Sequence, residues 1–570
     1  MQLPKPVETH RDEREPPSLC FPILSPRSST DLPENTRVFV FDSHRPLDLE
    51  NTRGDNRDVL VLRDEREGEE AFPEPDSESD SESDSEGDSE GDSESDADEE
   101  KENAPREGND GEGEDVSAAR RKRDVRAKEK ESPRAKRARR QQRQLERVAY
   151  YSRGSFYGRA AGLVMYDIAH DTHKDSLEKH FPLWLAIVSL TDQYVHQRLS
   201  HEAYTAGVME LATQVSNLPN ADAPNTRVLD EGRVVRAFED RRVQYSEEFR
   251  FSMLRHWSLY DAMTHSPYVA TRLQTWREQG RVSLHSLLAH LGLPLEACKQ
   301  QFTHMSPEHV ARLHERLEQH APSHGLDDLK FWSFSFSHGF KMRLVASDVV
   351  HGVTALLEGA PSGEGAEPGA SAGAFWRAVK ALGMSQYDEM QVGLRHAMRS
   401  QRALMRQGGL ALANKAAIRT VGGLRYFSLL DHGSPADAPL FKHPLSLTRL
   451  ALFLQDALRA TKTRERPLVV CGPASRETSD DAKHTVGGGD GAFALVVGVT
   501  GAPRADDADG GNHFSSSFRR AAETVRARFK HDAFEASVVQ VAERNLGEFM
   551  EALSDIDAER VARERMHAAA

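Results

Sequence analysis

Residues suited to phosphate or metal chemistry stand together near the start of this 570-residue chain, in Asp42-Ser43-His44-Arg45-Pro46. They follow directly on Val38-Phe39-Val40-Phe41, a short run of β-branched and aromatic residues that predicts a fully buried strand. A buried parallel strand presents its polar residues at its carboxyl end, where α/β folds hold ligands. Asp42 and His44 are thus placed to ligate a metal or to handle a phosphate. The plainer reading is a strand-ending aspartate followed by a turn histidine and proline. A second acid, Asp192, interrupts Phe181–Val195, which is apolar nearly all round and predicts a buried helix or helix–strand unit. An acid there must be paired, liganded or emerging at a cleft.

Other chemistries find little support. No Gly-x-x-x-x-Gly-Lys-Ser/Thr loop occurs, and Gly487-Gly488-Gly489-Asp490 precedes a strand rather than opening a helix. The 25 histidines include no His-x-x-x-His pair on a helix with the glutamate a zinc protease needs. Three cysteines, Cys20, Cys298 and Cys471, lie too far apart in sequence to suggest a disulfide framework or a metal knuckle, so a reduced, intracellular protein is expected. No apolar run reaches membrane-spanning length, and Met1–Pro17 does not read as a signal peptide.

The net charge of −16 conceals two adjacent blocks. Residues 71–100 hold fifteen acids and no Lys or Arg, and residues 120–147 hold fourteen Lys/Arg against four acids. These blocks carry −15 and +10, leaving −11 on the rest. The Ser-Asp/Glu repeat from Asp76 has too little apolar surface to offset chain entropy, which predicts disorder. Acids three residues after many of its serines suit acid-directed kinases. It reads as a lure for basic partners such as histones or as a solvated insertion. Arg120-Arg121-Lys122-Arg123 with Lys136-Arg137-Ala138-Arg139-Arg140 reads as a two-part nuclear import signal, a nucleic-acid contact or a solvated charged helix.

The flanking pattern sets the expected organisation. Residues 1–36 are a proline-rich, irregular leader. Residues 37–66 and 148–200 form a partial α/β domain around the strands Val38–Phe41 and Asp58–Arg63. Residues 67–147 are a disordered acidic, then basic, insertion. Residues 201–420 are mainly helical, with a surface loop at 359–374. Residues 421–570 are a C-terminal α/β domain: helix Leu445–Leu458, strands Pro467–Val470 and Phe493–Val499, helix Asn512–Phe529, strand Ser537–Ala542 and helix Leu546–Leu553.

Several long motifs then share one resemblance. Asp42-Ser-His-Arg-Pro46, Trp184-Leu-Ala-Ile-Val-Ser-Leu-Thr-Asp-Gln-Tyr194, His256-Trp-Ser-Leu259, Gly292-Leu-Pro-Leu295, and His338-Gly-Phe-Lys341 with Ala346-Ser-Asp-Val-Val350 resemble, in order, the cell division control protein 45 family of replication factors. That family is similar to RecJ-type DHH phosphoesterases that have lost catalysis. The resemblance implies a truncated DHH-type parallel-sheet domain, a helical insertion domain and a C-terminal DHH-associated α/β domain. Active relatives carry Asp-His-His-x-Pro at the strand end and use two metals to clamp the attacking and leaving oxygens. Here Asp42 and His44 match the outer pair, Ser43 stands where the middle histidine should be, and Asp192 matches a later metal-binding aspartate. A serine hydroxyl is a poor substitute for imidazole.

The resemblance therefore implies a non-enzymatic factor with no cofactor and no bound metal. Its implied partners are the MCM helicase ring, the GINS complex, other initiation factors, the replicative polymerase, single-stranded DNA and chromatin, in the nucleus. The family's strand–helix units before the Asp42 motif are replaced here by the leader, so a longer native N-terminus is expected. The competing readings are a metal-dependent exonuclease using Asp42, His44 and Asp192, and an acidic histone-binding nuclear protein.

Overall fold

The computed structural model describes residues 37–49, 51–52, 59–62, 133–172, 180–218, 226–228, 234–236, 241–338, 342–358, 370–383, 387–414, 416–461, 465–474, 492–500, 511–531 and 535–569. The acidic repeat, Arg120–Arg123, the 1–36 leader and the Gly487–Asp490 loop lie outside them.

In chain order the first elements are β1 (Val38–Val40), β2 (His44–Arg45), β3 (Val59–Val61), α1 (Pro133–Ser152), β4 (Phe156–Tyr157), α2 (Ala161–Asp171), α3 (His180–Val195) and α4 (His201–Ser216). β1 pairs with β3 in parallel, Val38 opposite Val59, and β2 pairs antiparallel with β4. The expected parallel strand is present, but it is not fully buried. Phe39 is 56% exposed and Leu60 37% exposed, because the described part of this sheet is two strands wide and leaves the outer face uncovered. Residues 133–147, read from sequence as the end of a disordered insertion, are helical as part of α1. Tyr150 and Tyr151 anchor that helix: their hydroxyls accept the backbone N–H of Leu47 at 3.0 Å and of Leu49 at 3.2 Å.

The middle of the chain holds a hairpin, β5 (Thr226–Val228) with β6 (Val234–Arg236), then β7 (Arg241–Phe249), α5 (Leu259–Thr264), α6 (Pro267–Leu273), α7 (Glu278–His290), α8 (Leu295–Lys299), α9 (Pro307–His320), β8 (Lys330–His338), β9 (Met342–Val345), α10 (Ala346–Glu358), α11 (Ala370–Leu382) and α12 (Tyr387–Ala413). The expectation of a mainly helical region misses an antiparallel sheet, β7-β8-β9. Alternation in Phe331-Trp-Ser-Phe-Ser-Phe336 carries that strand signal: Trp332, Phe334 and Phe336 share one face, exposed at Trp332 (44%) and buried at the other two, while Ser333 and Ser335 are buried on the opposite face. The stretch read as a loop through residue 374 gives way to α11 at Ala370, where Ala374, Ala378 and Ala381 recur at helical spacing and are buried.

One apolar core runs continuously from Ala160 through α3, α4, β7, α7, α9 and α10 to Ala397 in α12. α12 then crosses into a second core with Ala403, Leu404 and Ala411. The final elements are β10 (Ile418–Val421), β11 (Leu424–Ser428), α13 (Leu429–His432), α14 (Pro444–Ala460), β12 (Leu468–Pro473), β13 (Phe493–Val499), α15 (Phe514–Val525), β14 (Phe529–His531), β15 (Val538–Ala542) and α16 (Leu546–Ala569). The sheet order is β10-β11-β12-β13-β15-β14, with β11 and β12 parallel and every other pair antiparallel. Its central strands β12 and β13 are buried on both faces, hence their unbroken apolar runs. Leu468, Val470, Leu495 and Val497 face α14, whereas Val469, Cys471, Val496 and Val539 pack with Phe514 and Phe518 of α15 and Phe549 and Leu553 of α16.

Two C-terminal boundaries differ from expectation. The helix expected over Asn512–Phe529 ends at Val525, with Arg526 in the left-handed conformation at its C-cap, and Phe529 begins β14. α16 extends past Leu553 to Ala569: among the side chains described in it the last buried one is Asp557, and Ala, Glu, Arg and Met continue it through intrinsic propensity. Overall the fold is mixed α/β with several sheets.

α10 and α12 cross where both present glycine. A Cβ on Gly393 would stand 2.5 Å from the Gly352 carbonyl oxygen, a backbone atom that cannot swing aside. Gly393→Ala is expected to destabilise by about 1–3 kcal/mol in urea unfolding. Gly373→Ala, with nothing within 4 Å of the new carbon, should be neutral or slightly stabilising.

Candidate functional site

The Asp42 motif closes on itself. Asp42 Oδ1 accepts the backbone N–H of His44 at 3.2 Å and lies 2.7 Å from His44 Nδ1. Arg45 is buried and donates to the carbonyls of Asp42 at 2.9 Å and His44 at 3.0 Å, and the Ser43 carbonyl accepts the N–H of Gly158 at 2.8 Å. Burial acts to raise the Asp42 pKa, but the hydrogen bond and charge of His44 outweigh it and hold the carboxyl below its ordinary value. The β2–β4 register sets His44 opposite Tyr157, whose ring centroid is 4.9 Å from the imidazole.

Asp192 occupies the last turn of α3, where a helix buried along Leu183, Trp184, Ala186, Ile187 and Leu190 reaches solvent. Of the alternatives open to it, it is paired: Oδ1 is 3.4 Å from His196 Nε2 and Oδ2 is 3.6 Å from Arg198 Nη1. Its carboxyl too is held low, burial being outweighed by His196 and Arg198. The Arg198 guanidinium also approaches Glu535 at 3.8 Å and lies 4.7 Å from the centroid of the Tyr157 ring. The Tyr157 hydroxyl donates to the Glu535 carboxylate, and burial with that neighbouring charge pushes the phenol pKa up.

Asp42 and His44 therefore form one pair and Asp192 belongs to another, with Tyr157 and the Arg198 cation contacting both groups between them. Among the described residues no three His, Cys, Asp or Glu side chains stand together so as to hold a metal ion. Sequence reasoning missed Arg198, His196, Tyr157 and Glu535. Arg198, six residues after Asp192 at the end of an apolar helix, was the signal available; Glu535 offered none.

Two other quoted motifs meet in the interior. His256 Nε2 lies 3.2 Å from Asp348 Oδ2, joining His256-Trp-Ser-Leu259 to Ala346-Ser-Asp-Val-Val350. Asp348 is held below its usual range although burial opposes this, chiefly by its bond to His256. One turn along α10, burial and then the Arg449 charge push His351 down to about 3, and burial lowers His196 as well. Of the expected import-signal residues, Lys136, Arg137, Arg139 and Arg140 lie on α1, with Arg139 and Arg140 exposed.

Asp348→Ala leaves a part-buried imidazole without its acid and should destabilise by about 3 kcal/mol, measured by urea unfolding. His351 binds its proton less readily folded than unfolded. Its contribution is thus complete above the unfolded pKa near 6.5 and is lost as pH falls below it. Stability should drop by on the order of 1–2 kcal/mol per such histidine between pH 7 and pH 5. Buried Glu358 and Asp456, whose pKa values are raised by burial, act in the opposite sense. The clean readout is therefore a shallower acid slope in His351→Gln than in the wild type.

The model of the CDC45 family matches residues 23–556. The cell division control protein 45 homolog of Schizosaccharomyces pombe is 33% identical over 437 residues, 71% of this chain and 65% of that protein. The Homo sapiens homolog is 29% identical over 526 residues, 91% of this chain and 83% of that protein. The chain thus spans just under two thirds of the fission-yeast relative's length. In fold it is similar to the crystal structure of CDC45 from Entamoeba histolytica, with a TM-score of 0.57 at 18% identity, over 93% of this chain and 81% of that one. No helix among the described residues is long and apolar enough to cross a membrane. With the CDC45 family model matched over most of its length, the chain belongs to the CDC45 family.

Proposed function

We propose that this DNA replication factor is a non-enzymatic scaffold of the replicative helicase, built on a degenerate DHH-type phosphoesterase fold. The observation that carries this reading is the engagement of both motif acids by internal imidazole and guanidinium groups. Asp42 is folded onto His44, and Asp192 faces His196 and Arg198. Two-metal phosphodiester hydrolysis needs several carboxylate and imidazole ligands to converge on two ions about 4 Å apart. Ser43 stands at one required ligand position, and the Arg198 guanidinium brings a fixed positive charge beside another.

The proposed partners are the MCM ring and the GINS complex, together with other initiation factors, the replicative polymerase, single-stranded DNA and chromatin, in the nucleus. Membership of the CDC45 family supports them. The basic residues Arg139 and Arg140 on the exposed side of α1 suit import or an acidic partner.

Affinity capture of the chain from proliferating-cell nuclear extract, read by mass spectrometry, should recover MCM and GINS subunits. Purified protein with manganese should release no nucleotides from single-stranded DNA above background. Manganese-dependent hydrolysis abolished by Asp192→Asn would overturn the non-enzymatic reading, and loss of MCM and GINS from repeated captures would overturn the scaffold reading.

A further inference from the structure

Away from the Asp42 motif, three imidazoles meet at the ends of two helices. His290 is the last residue of α7 and His320 the last of α9; His324 ends the short 3-10 turn Pro322–His324 that follows α9. His290 Nδ1 and His324 Nε2 are 3.1 Å apart, and their rings lie 5.3 Å between centroids. His320 stacks on His290 at 6.0 Å. The backbone beneath is firmly placed. Leu287 and Leu291 from the α7 end, and Leu317, Ala321 and Leu326 around the α9 end, are all buried in the first core.

We propose that His290 and His324 form a two-imidazole binding site for a borderline transition-metal dication of the Zn2+, Cu2+ or Ni2+ class, with His320 packed beside the pair and water completing the coordination. The proposal is independent of the scaffold reading. Three arguments carry it. First, two nitrogens bound to one tetrahedral ion at 2.0–2.1 Å stand about 3.3 Å apart, so the observed 3.1 Å needs an adjustment of a few tenths of an ångström. Second, the donors are imidazole nitrogens alone, which suits these ions and not Mg2+ or Ca2+, whose ligands are oxygens.

Third, α7 and α9 both end at the cluster, so their partially negative C-terminal ends lie beside it. The Arg316 guanidinium is engaged with the Leu291 carbonyl. On binding, each ring keeps its single proton on the nitrogen turned away from the ion: His290 on Nε2 and His324 on Nδ1. From neutral rings the step therefore needs a tautomer change but no net proton release.

The test uses the full chain without a histidine tag, in a Cys20→Ser background; Cys298 and Cys471 are buried. Zn2+ is titrated against a fluorescent chelator at pH 7.5, and one equivalent of Cu2+ is examined by electron paramagnetic resonance. Expected are one Zn2+ equivalent above the background of the other histidines and nitrogen couplings on Cu2+. His290→Asn with His324→Asn should weaken that equivalent roughly tenfold or more, whereas His320→Asn should change it far less. Zn2+ should also raise the melting temperature of the parent chain and not that of the double variant, because an ion joining α7 to the turn after α9 favours the folded state. All three side chains are at least partly exposed, so the variants should match the parent in melting temperature without metal. Identical Zn2+ titrations of the parent and the double variant would overturn the proposal, as would a metal-independent loss of fold in the double variant that accounts for the difference.

Discussion

Helix α3 has almost no face to offer water until its last turn, and much of the first core is arranged to satisfy that constraint. Trp184, Ile187 and Leu183 are fully buried, so partners must surround the helix. α2 covers it from the N-terminal part, where Gly162 lies so close to Ser189 that its backbone N–H donates to the serine hydroxyl at 3.1 Å. α4 and α10 cover the remaining sides, and Phe336 of β8 meets Trp184 at 5.4 Å. Burying a helix on all sides requires segments from far along the chain. This explains why one core joins residues near 160 to residues near 397.

The same constraint concentrates polar groups at the one place where α3 emerges. Asp192, His196 and Arg198 leave the helix end in succession, and there they meet Thr354 of α10, Glu535 before β15 and Tyr157 of β4. Charges in such a half-buried place must be matched locally, since water screens them only partly. Matching is achieved with protein groups: acid against imidazole, acid against guanidinium, guanidinium against aromatic face. Similar pairing recurs deeper, in His256 with Asp348 and in Glu358 with Ser446 and Arg449. The interior therefore contains many ionisable groups, each held by one or two specific neighbours.

α12 connects this region to the C-terminal sheet. Its first half is buried among Gly352, Leu356 and their neighbours, and its second half lies against α14, where Phe453 sits closely over Gly408. Arg449 of α14 donates to the Gln401 side chain of α12, whose own amide donates to the His265 carbonyl. One continuous helix with its two halves in different cores ties the sheets together, so motion of one part relative to the other must bend or unpack α12.

Much of this was legible locally. Phe493–Val499 and Leu445–Leu458 carry their element type in their own spacing, because helix and strand periodicities relate residues only two to four positions apart. The family motifs and the missing middle histidine at Ser43 could also be read directly, as could the need for Asp192 to be paired, liganded or at a cleft. The sequence alone did not reveal the partner. Tyr157 and Glu535 are 378 positions apart, and Arg198 reaches both Asp192 and Glu535 only after α3, β4 and the C-terminal sheet have packed. The exposure of Phe39 followed from which strands flank β1, and the meeting of His290 with His324 followed from where the end of α7 and the turn after α9 are placed. Local periodicity is set by neighbours along the chain; charge pairing acts through space, and only the tertiary structure decides which groups come within reach.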